Sequence, residues 1–529
     1  MTKTACFAPV SLAEAASFTP QQIVDRFQCL AQELDALKHQ LDWFKRQLFG
    51  QKSERRLVQA QAQQLHLGEM LSPAGAQTAP TPGKPVAAHT RRARKRERES
   101  DAESALFFDA ARVPIEVIEL ANEEAKGLAP EQFEVIGQKV SHRLAQRPGS
   151  YVILKYVRPI IKRRDTQTLC CAAAPVSVIE GSRADVSFVA GMLLDKFAYH
   201  LPLYRQHQRL TQSGIKVSRP WLTQLTHRAS ALLEPIFDAQ LDSIRASRVK
   251  AMDETPIKAG QAGPGKMKAT YFWPVYGQSD EICFLHFADR SHQHVEEALG
   301  VSPPERAVLL SDGYGAYEQY AKKVGLTHAQ CWAHTRRHYF DAKDIEPERT
   351  ALALEMIGAL YVVEQRIRDA ALSGEAKRAY RITHAKPVAE RFFAWVDTQF
   401  DTQGLLPSSP LTKALAYTRE RRTGLAVYLN DPEVQIDTNH LERALRVIPM
   451  GRRNWLFNWT EIGAKYVGVV QSLIGTCRLH QIDPYDYLVD VLQRVGQHPA
   501  SQVQQLTPRL WKQHFAHNPL RSDLHKLAR

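Results

Sequence analysis

A chain of 529 residues is too long for a single hydrophobic core and implies about three to five domains of roughly 100–200 residues each. Its 69 Lys and Arg outnumber its 56 Asp and Glu, giving a formal charge of +13. No apolar run reaches the roughly 18 residues that span a bilayer, so the acidic partner to expect is nucleic acid and not a membrane. Seven scattered cysteines, and an N-terminus without the basic start and continuous apolar core of a secretory signal, read as a reduced cytoplasmic protein associated with the nucleoid.

Near the N-terminus, Ile23, Phe27, Leu30, Leu34, Leu37, Leu41, Phe44 and Leu48 recur at alternating steps of four and three. That heptad seam predicts a coiled coil over 20–55 and, through it, a homo-oligomer; the alternative is an amphipathic helix lying on its own domain. Residues 56–105 read as a flexible basic linker, because "SPAGAQTAPTPGKPVAAHTRRARKRERES" offers almost nothing to bury. Its run Arg91 to Arg98 either grips phosphates or is a solvated charge run that keeps the linker open.

Short apolar segments such as "IEVIEL" and "SYVILKYVRPIIKRR" then alternate with polar breaks, predicting a small β-rich module over 106–178. It ends in "LCCAAAP", whose adjacent Cys170 and Cys171 are not the two spaced ligand pairs of a zinc knuckle, so no zinc is expected. Residues 179–245 are helical in pattern. In "LYRQHQRLTQSGIKVSRPWLTQLTHRA" a helix breaks at Gly214, and Ser218 is placed to cap a second helix opened by Pro220. This is the outline of a helix-turn-helix that reads bases, or of two helices that simply pack.

Three strands follow ("SRVKAMD", "KATYFWPVYG", "EICFLHFAD"), then a helix near "SHQHVEEALG" and a fourth strand "AVLLSD". The first and fourth end in acids, the opening of a ribonuclease-H-like fold in which neighbouring strands one and four bring Asp253 and Asp312 together. Oxygen ligands suit hard cations, and two such ions roughly 3.5–4 Å apart serve both the attacking and leaving oxygens of a phosphodiester. Glu254, next to Asp253, projects to the opposite face of a strand and is the weaker ligand. The expected catalytic domain spans 246–495 with a helical insertion at 341–430, and a basic tail occupies 496–529. The fold class expected is a multidomain α+β and α/β chain.

The stretches "RQLFGQKSER", "HLPLYRQ", "MDETP", "SDGYGAY", "CWAHTRRHYFDA", "TNHLERALR", "GRRNWLF" and "PYDYL" resemble, in content and order, the DDE-type transposases of the insertion-sequence-66 family. The resemblance implies that Asp253, Asp312 and Glu442 are the catalytic, metal-holding acids, with two Mg²⁺ ions that Mn²⁺ can replace. It implies nicking of element ends, joining of the 3′ ends to target DNA, and small accessory proteins of the same element. One departure is that only Cys170 and Cys171 remain of a zinc-binding segment usual in the family, so the module at 106–178 reads as its degenerate form.

Around Glu442 lie Arg443, Arg446, Arg452, Arg453 and Trp455, expected to meet DNA. Arg446 shares a helix face with Glu442, Arg452 and Arg453 suit the backbone, and Trp455 either stacks on an unpaired base or packs in the core. Cys331, His334 and His338 fall along one helical face, but three ligands without a fourth favour packing, with Arg336 and Arg337 as phosphate contacts. Two other readings remain: a DNA-binding regulator with a vestigial site, and a nuclease that cuts without joining.

Overall fold

The computed structural model describes residues 18–20, 22 and 106–526, with gaps at 123–124, 126–128, 130–131, 148, 403–407 and 457. Contacts divide the chain between Ala105 and Leu106, and the expected coiled coil and linker fall almost wholly outside the described residues. From Leu106 onward the chain is a mixed α and β protein with two sheets, in keeping with the multidomain class expected.

The first sheet consists of β1 (Ile115–Glu119), β2 (Phe133–Arg147), β3 (Ser150–Arg163) and β4 (Leu169–Cys171). β2 and β3 form an antiparallel hairpin turned at Gly149, whose φ of 82° suits a residue without Cβ. β1 joins β3 in parallel, and β4 sets Cys170 and Cys171 opposite Ile161 and Ile160.

Three helices follow: α1 (Val186–Phe197), α2 (Leu203–Gln212) and α3 (Arg219–Ala246). α1 is apolar nearly all round and buried, and Asp185 caps it by accepting the Ser187 N–H. α2 and α3 meet through Gly214 at φ 85°, and Ser218 caps α3 through the Trp221 N–H. Beyond its exposed first turn, α3 buries Leu222, Leu225, Ala229, Leu233, Ile236 and Leu241, so most of this helix is used in packing.

The second sheet holds β5 (Val249–Met252), β6 (Thr255–Gly263), β7 (Lys266–Gly277) and β8 (Glu281–Phe287). After α4 (Gln293–Leu299) come β9 (Val308–Ser311), α5 (Gly315–Val324) and β10 (Thr327–Gln330). β5 and β6 lie one after the other along one edge of β7, and β8 lines its opposite edge, all antiparallel. β9 lies parallel to β5 and β10 parallel to β9, so the order across the sheet runs β10, β9, β5 with β6, β7, β8. β5 and β9 are buried at every position, as strands covered on both faces must be. Even Lys250 is buried; its ammonium donates to the carbonyls of Arg245 (3.0 Å) and Ser247 (2.5 Å) at the end of α3.

The chain continues through α6 (Trp332–Asp341), α7 (Pro347–Asp369), α8 (Gly374–His384), α9 (Lys386–Thr402), α10 (Pro410–Asn430), α11 (Asn439–Leu445) and α12 (Val447–Trp455). It ends in α13 (Glu461–Leu479), α14 (Pro484–Arg494), a 3₁₀ turn (Ala500–Leu506), α15 (Pro508–His514) and α16 (Asp523–Lys526). α13 closes the open edge of β8: the Phe284 and Ile282 N–H groups donate to Ser472 Oγ (2.8 Å) and Thr476 Oγ1 (3.1 Å). The approach is so close that a Cβ at Gly468 would lie 2.2 Å from the Phe284 carbonyl oxygen. The last segment returns to both sheets. Arg509 pairs with buried Glu281 beside β8 at 3.0 Å, and Tyr156 on β3 donates to Asp523 at 2.9 Å while Leu524 is buried with Leu154 and Tyr156.

Candidate active site

β5 and β9 run parallel with Ala251 opposite Leu310, and two residues further on each chain reaches an acid, Asp253 and Asp312. Parallel neighbours finish at the same edge of a sheet, so two carboxylates remote in sequence become neighbours in space. The third acid, Glu442, stands in the first turn of α11.

What brings α11 to this edge is the two-residue strap Cys331–Trp332. The Cys331 N–H donates to the Ser311 carbonyl at the end of β9 (3.1 Å), and its sulfur accepts from Thr438 N and Thr438 Oγ1, both at 3.3 Å. The Trp332 N–H donates to the Ile436 carbonyl at 3.2 Å and its indole N–H to the Leu425 carbonyl at 2.9 Å. Thr438 in turn accepts the Glu442 N–H at 2.9 Å, so the end of β9 and the start of α11 are tied through residues 331 and 438. Burial pushes the Cys331 thiol up to about 11, which keeps it neutral.

Burial pushes the Asp253 carboxyl up to about 7, and the charges of Glu254, Asp312 and Glu442 push it the same way. Asp253 is thus coupled electrostatically to the other three acids, with burial the larger cause of its shift. Glu254 has a different use. Its side chain is 4% exposed, pairs with the Arg290 guanidinium and accepts from Tyr317 Oη at 2.5 Å. Arg290 also lies over the Tyr314 ring at 4.5 Å, so this neighbour of Asp253 has a cation of its own.

Among the described residues no three His, Cys, Asp or Glu side chains are gathered closely enough to enclose a metal ion. The donor set is nevertheless that of a hard divalent cation: carboxylate oxygens from three elements, one of them buried and destabilised by its acidic neighbours. Glu442 Oε1 lies 3.9 Å from His334 Nε2, while the His338 ring packs against Tyr417 with centroids 4.3 Å apart. Cys331, His334 and His338 thus face three different partners, Thr438, Glu442 and Tyr417.

Of the residues expected at DNA, Arg336, Arg337, Arg443, Arg446 and Arg453 are exposed on α6, at α11 and on α12. Arg452 turns inward and donates to the Pro256 carbonyl, tying α12 to the strand that follows Asp253. Trp455 is half-buried; its indole folds over Gly451, where an added Cβ would lie 2.7 Å from Nε1. The sequence reading missed the Cys331 strap and the Arg290–Glu254–Tyr317 group. A signal for the second was present in the acid next to Asp253, although Asp253 and Glu254 lie between β5 and β6 and not on the strand expected for them.

The family described as "Transposase IS66 family" matches residues 181–466. The chain belongs to the IS66 family of transposases. A segment described as "IS66 C-terminal element" matches 472–509, and one described as "Transposase C of IS166 homeodomain" matches 36–102. Three curated relatives come from Sinorhizobium fredii. Uncharacterized protein y4hP is 30% identical over 400 residues, covering 71% of each chain. Uncharacterized proteins y4jD and y4qI are each 29% identical over 71% of this transposase, and over 76% and 71% of their own lengths. No described helix of this IS66 transposase is long and apolar enough to cross a membrane.

Proposed function

We propose that this transposase cuts the ends of an insertion sequence and joins the freed 3′ ends to target DNA, using Asp253, Asp312 and Glu442 as its catalytic acids on a ribonuclease-H-like sheet. The observation that carries the reading is the electrostatic coupling of Asp253 to Asp312 and Glu442 at the end of a sheet in which β9 and β10 run parallel to β5. Membership of a transposase family supports the reaction class.

Divalent cations held by the three acids, Mg²⁺ or Mn²⁺, would supply the Lewis acidity that phosphodiester cleavage requires. The protein's own contribution is placement. The parallel pair β5 and β9 fixes Asp253 and Asp312, the Cys331 strap fixes Glu442, and the exposed arginines on α6, at α11 and on α12 orient the DNA backbone. Two ends must be held together for joining, a task that suits a homo-oligomer built through the heptads of 20–55, with accessory proteins of the element as further partners.

The test is Glu442→Gln, which removes one negative charge and keeps the side chain's shape. Labelled element ends, target DNA and Mg²⁺ are incubated with parent and variant. Cleavage and joining collapse in the variant while end binding, carried by Arg and Lys on phosphates, survives. Cleavage near the parental rate by a folded Gln variant would overturn the assignment. Cleavage without joined product in the parent would leave a nuclease.

A further inference from the structure

We propose that Tyr417 and Arg421, which α10 carries in from the helical segment between β10 and α11, are positioning residues for Asp312; the inference rests on reading Asp312 as a metal-holding acid. The two side chains meet the residue that follows it. Arg421 Nη2 donates to the Gly313 carbonyl at 3.1 Å, and the Tyr417 hydroxyl lies against the Gly313 amide. The fit leaves no room. A Cβ on Gly313 would stand 2.7 Å from Arg421 Nε and 2.7 Å from both Tyr417 Cε2 and Tyr417 Oη.

The clamp is itself rigid. The Arg421 guanidinium lies 4.0 Å from the Tyr417 ring centroid, and the His338 ring of α6 packs on the same tyrosine at 4.3 Å, tilted by 38°. Arg421 also donates to the Tyr417 carbonyl at 3.4 Å and to Glu420 Oε2 at 2.9 Å, which holds the guanidinium in place. Ser311 Oγ donates to the Asp312 carbonyl at 3.1 Å and the Asp312 carboxylate accepts the Tyr314 N–H at 2.9 Å, while on the other side of Asp312 the Ser311 carbonyl accepts the Cys331 N–H at 3.1 Å. The backbone is thus fixed before and after the acid, so the direction of its free carboxylate oxygen depends on where Gly313 is held. A ligand oxygen aimed by its neighbours binds a cation better than one that must be ordered on binding, and loss of such outer contacts typically weakens metal affinity about 10- to 100-fold.

The full-length chain is titrated with Mn²⁺ alone by calorimetry, as the parent and as Arg421→Ala, Arg421→Lys, Tyr417→Phe and Asp312→Asn. Half-saturating Mn²⁺ rises about tenfold or more in Arg421→Ala and less in Tyr417→Phe, with Lys restoring part of the loss. Cleavage at limiting Mn²⁺ follows the same order, and gel-shift binding of element ends is unchanged. Parental Mn²⁺ affinity in both Arg421→Ala and Tyr417→Phe would overturn the clamp. So would loss of end binding by Arg421→Ala with Mn²⁺ affinity intact, which would make the arginine a phosphate contact. Should Arg421→Ala lose its fold by circular dichroism, the hydroxyl deletion in Tyr417→Phe decides. An Asp312→Asn variant that binds Mn²⁺ and cleaves like the parent removes the acid reading itself, whereas an inactive Asp312→Asn beside parental clamp variants removes the clamp alone.

Discussion

Arg381 on α8 is fully buried and gathers five hydrogen bonds: two to the Glu364 carboxylate, both at 2.8 Å, and three to the carbonyls of Tyr428, Asp431 and Val434 at 2.7–3.0 Å. The three carbonyls belong to the end of α10 and the loop that leads to α11 and Glu442, so one guanidinium ties the helices between β10 and α11 to the proposed site. Arg381→Met strands a carboxylate that is only 4% exposed, and breaking a buried pair in this way costs about 3–5 kcal/mol. The carbonyls lose a charged donor as well, which adds about 1–3 kcal/mol for those that water does not reach. The sum, about 4–8 kcal/mol, is comparable with the whole stability of many domains. Urea unfolding followed by tryptophan fluorescence is the assay, because buried Trp332 packs on Tyr428 in the same helical layer. The companion double change Arg381→Met with Glu364→Met removes both charges, and replacing a buried pair by apolar residues is often neutral, so it recovers much of the loss. A single variant costing under about 1 kcal/mol, or a double variant less stable than the single, would refute the account.

Three further outcomes are expected. Gly468→Ala forces a Cβ to 2.2 Å from the Phe284 carbonyl oxygen, so α13 must retreat from β8 and thermal denaturation shows a loss of about 1–3 kcal/mol or more. Burial pushes the His286 imidazole down to about 4, below the roughly 6.5 of an exposed histidine, so the unfolded chain takes up the proton first. The stability present above pH 6.5 is therefore lost as pH falls from about 6.5 toward 4, and in His286→Asn the urea midpoint changes less over that window. Leu34→Lys with Leu41→Lys places charges in the heptad seam and yields smaller species in sedimentation, an unchanged mass counting against the coiled coil.

The strands that carry the acids were legible because a basic, β-inclined segment before Asp253 and an apolar run before Asp312 each stop at an acid, and the helix-turn-helix outline because Gly214 and Ser218 punctuate it. What was not legible depends on long-range contact. That α3 packs most of its length could not be separated from base reading by periodicity, since both uses need one apolar face. The Cys331 strap links residues 107 apart, and nothing local distinguishes a cysteine that accepts two hydrogen bonds from one that awaits a metal. Tyr417 and Arg421 sit in "LTKALAYTRERRTG", where a charged helical stretch reads as a solvated face. Only folding reveals that Arg421, 108 residues from Gly313, is turned inward.

The distribution of charge reconciles a strongly basic chain with an acidic centre. Asp253 feels the charges of Glu254, Asp312 and Glu442 together, and of these acids Arg290 pairs with Glu254, which leaves the remaining three an acidic group. Such a floor repels the phosphodiester it is proposed to cut. Repulsion between like charges grows as water is excluded, so the substrate is drawn in only if cations stand closer to its other phosphates than the acids do. Arg336 and Arg337 on α6, Arg443 and Arg446 at α11, and Arg453 on α12 are exposed on the very elements that carry or adjoin Glu442 and His334. On the proposed function the basic rim would supply affinity that falls with salt, and the acidic floor would hold the cations at the phosphate being cut. Neutralising rim arginines one at a time therefore lowers the salt slope of end binding by about one each, and leaves Mn²⁺ affinity at the floor unchanged.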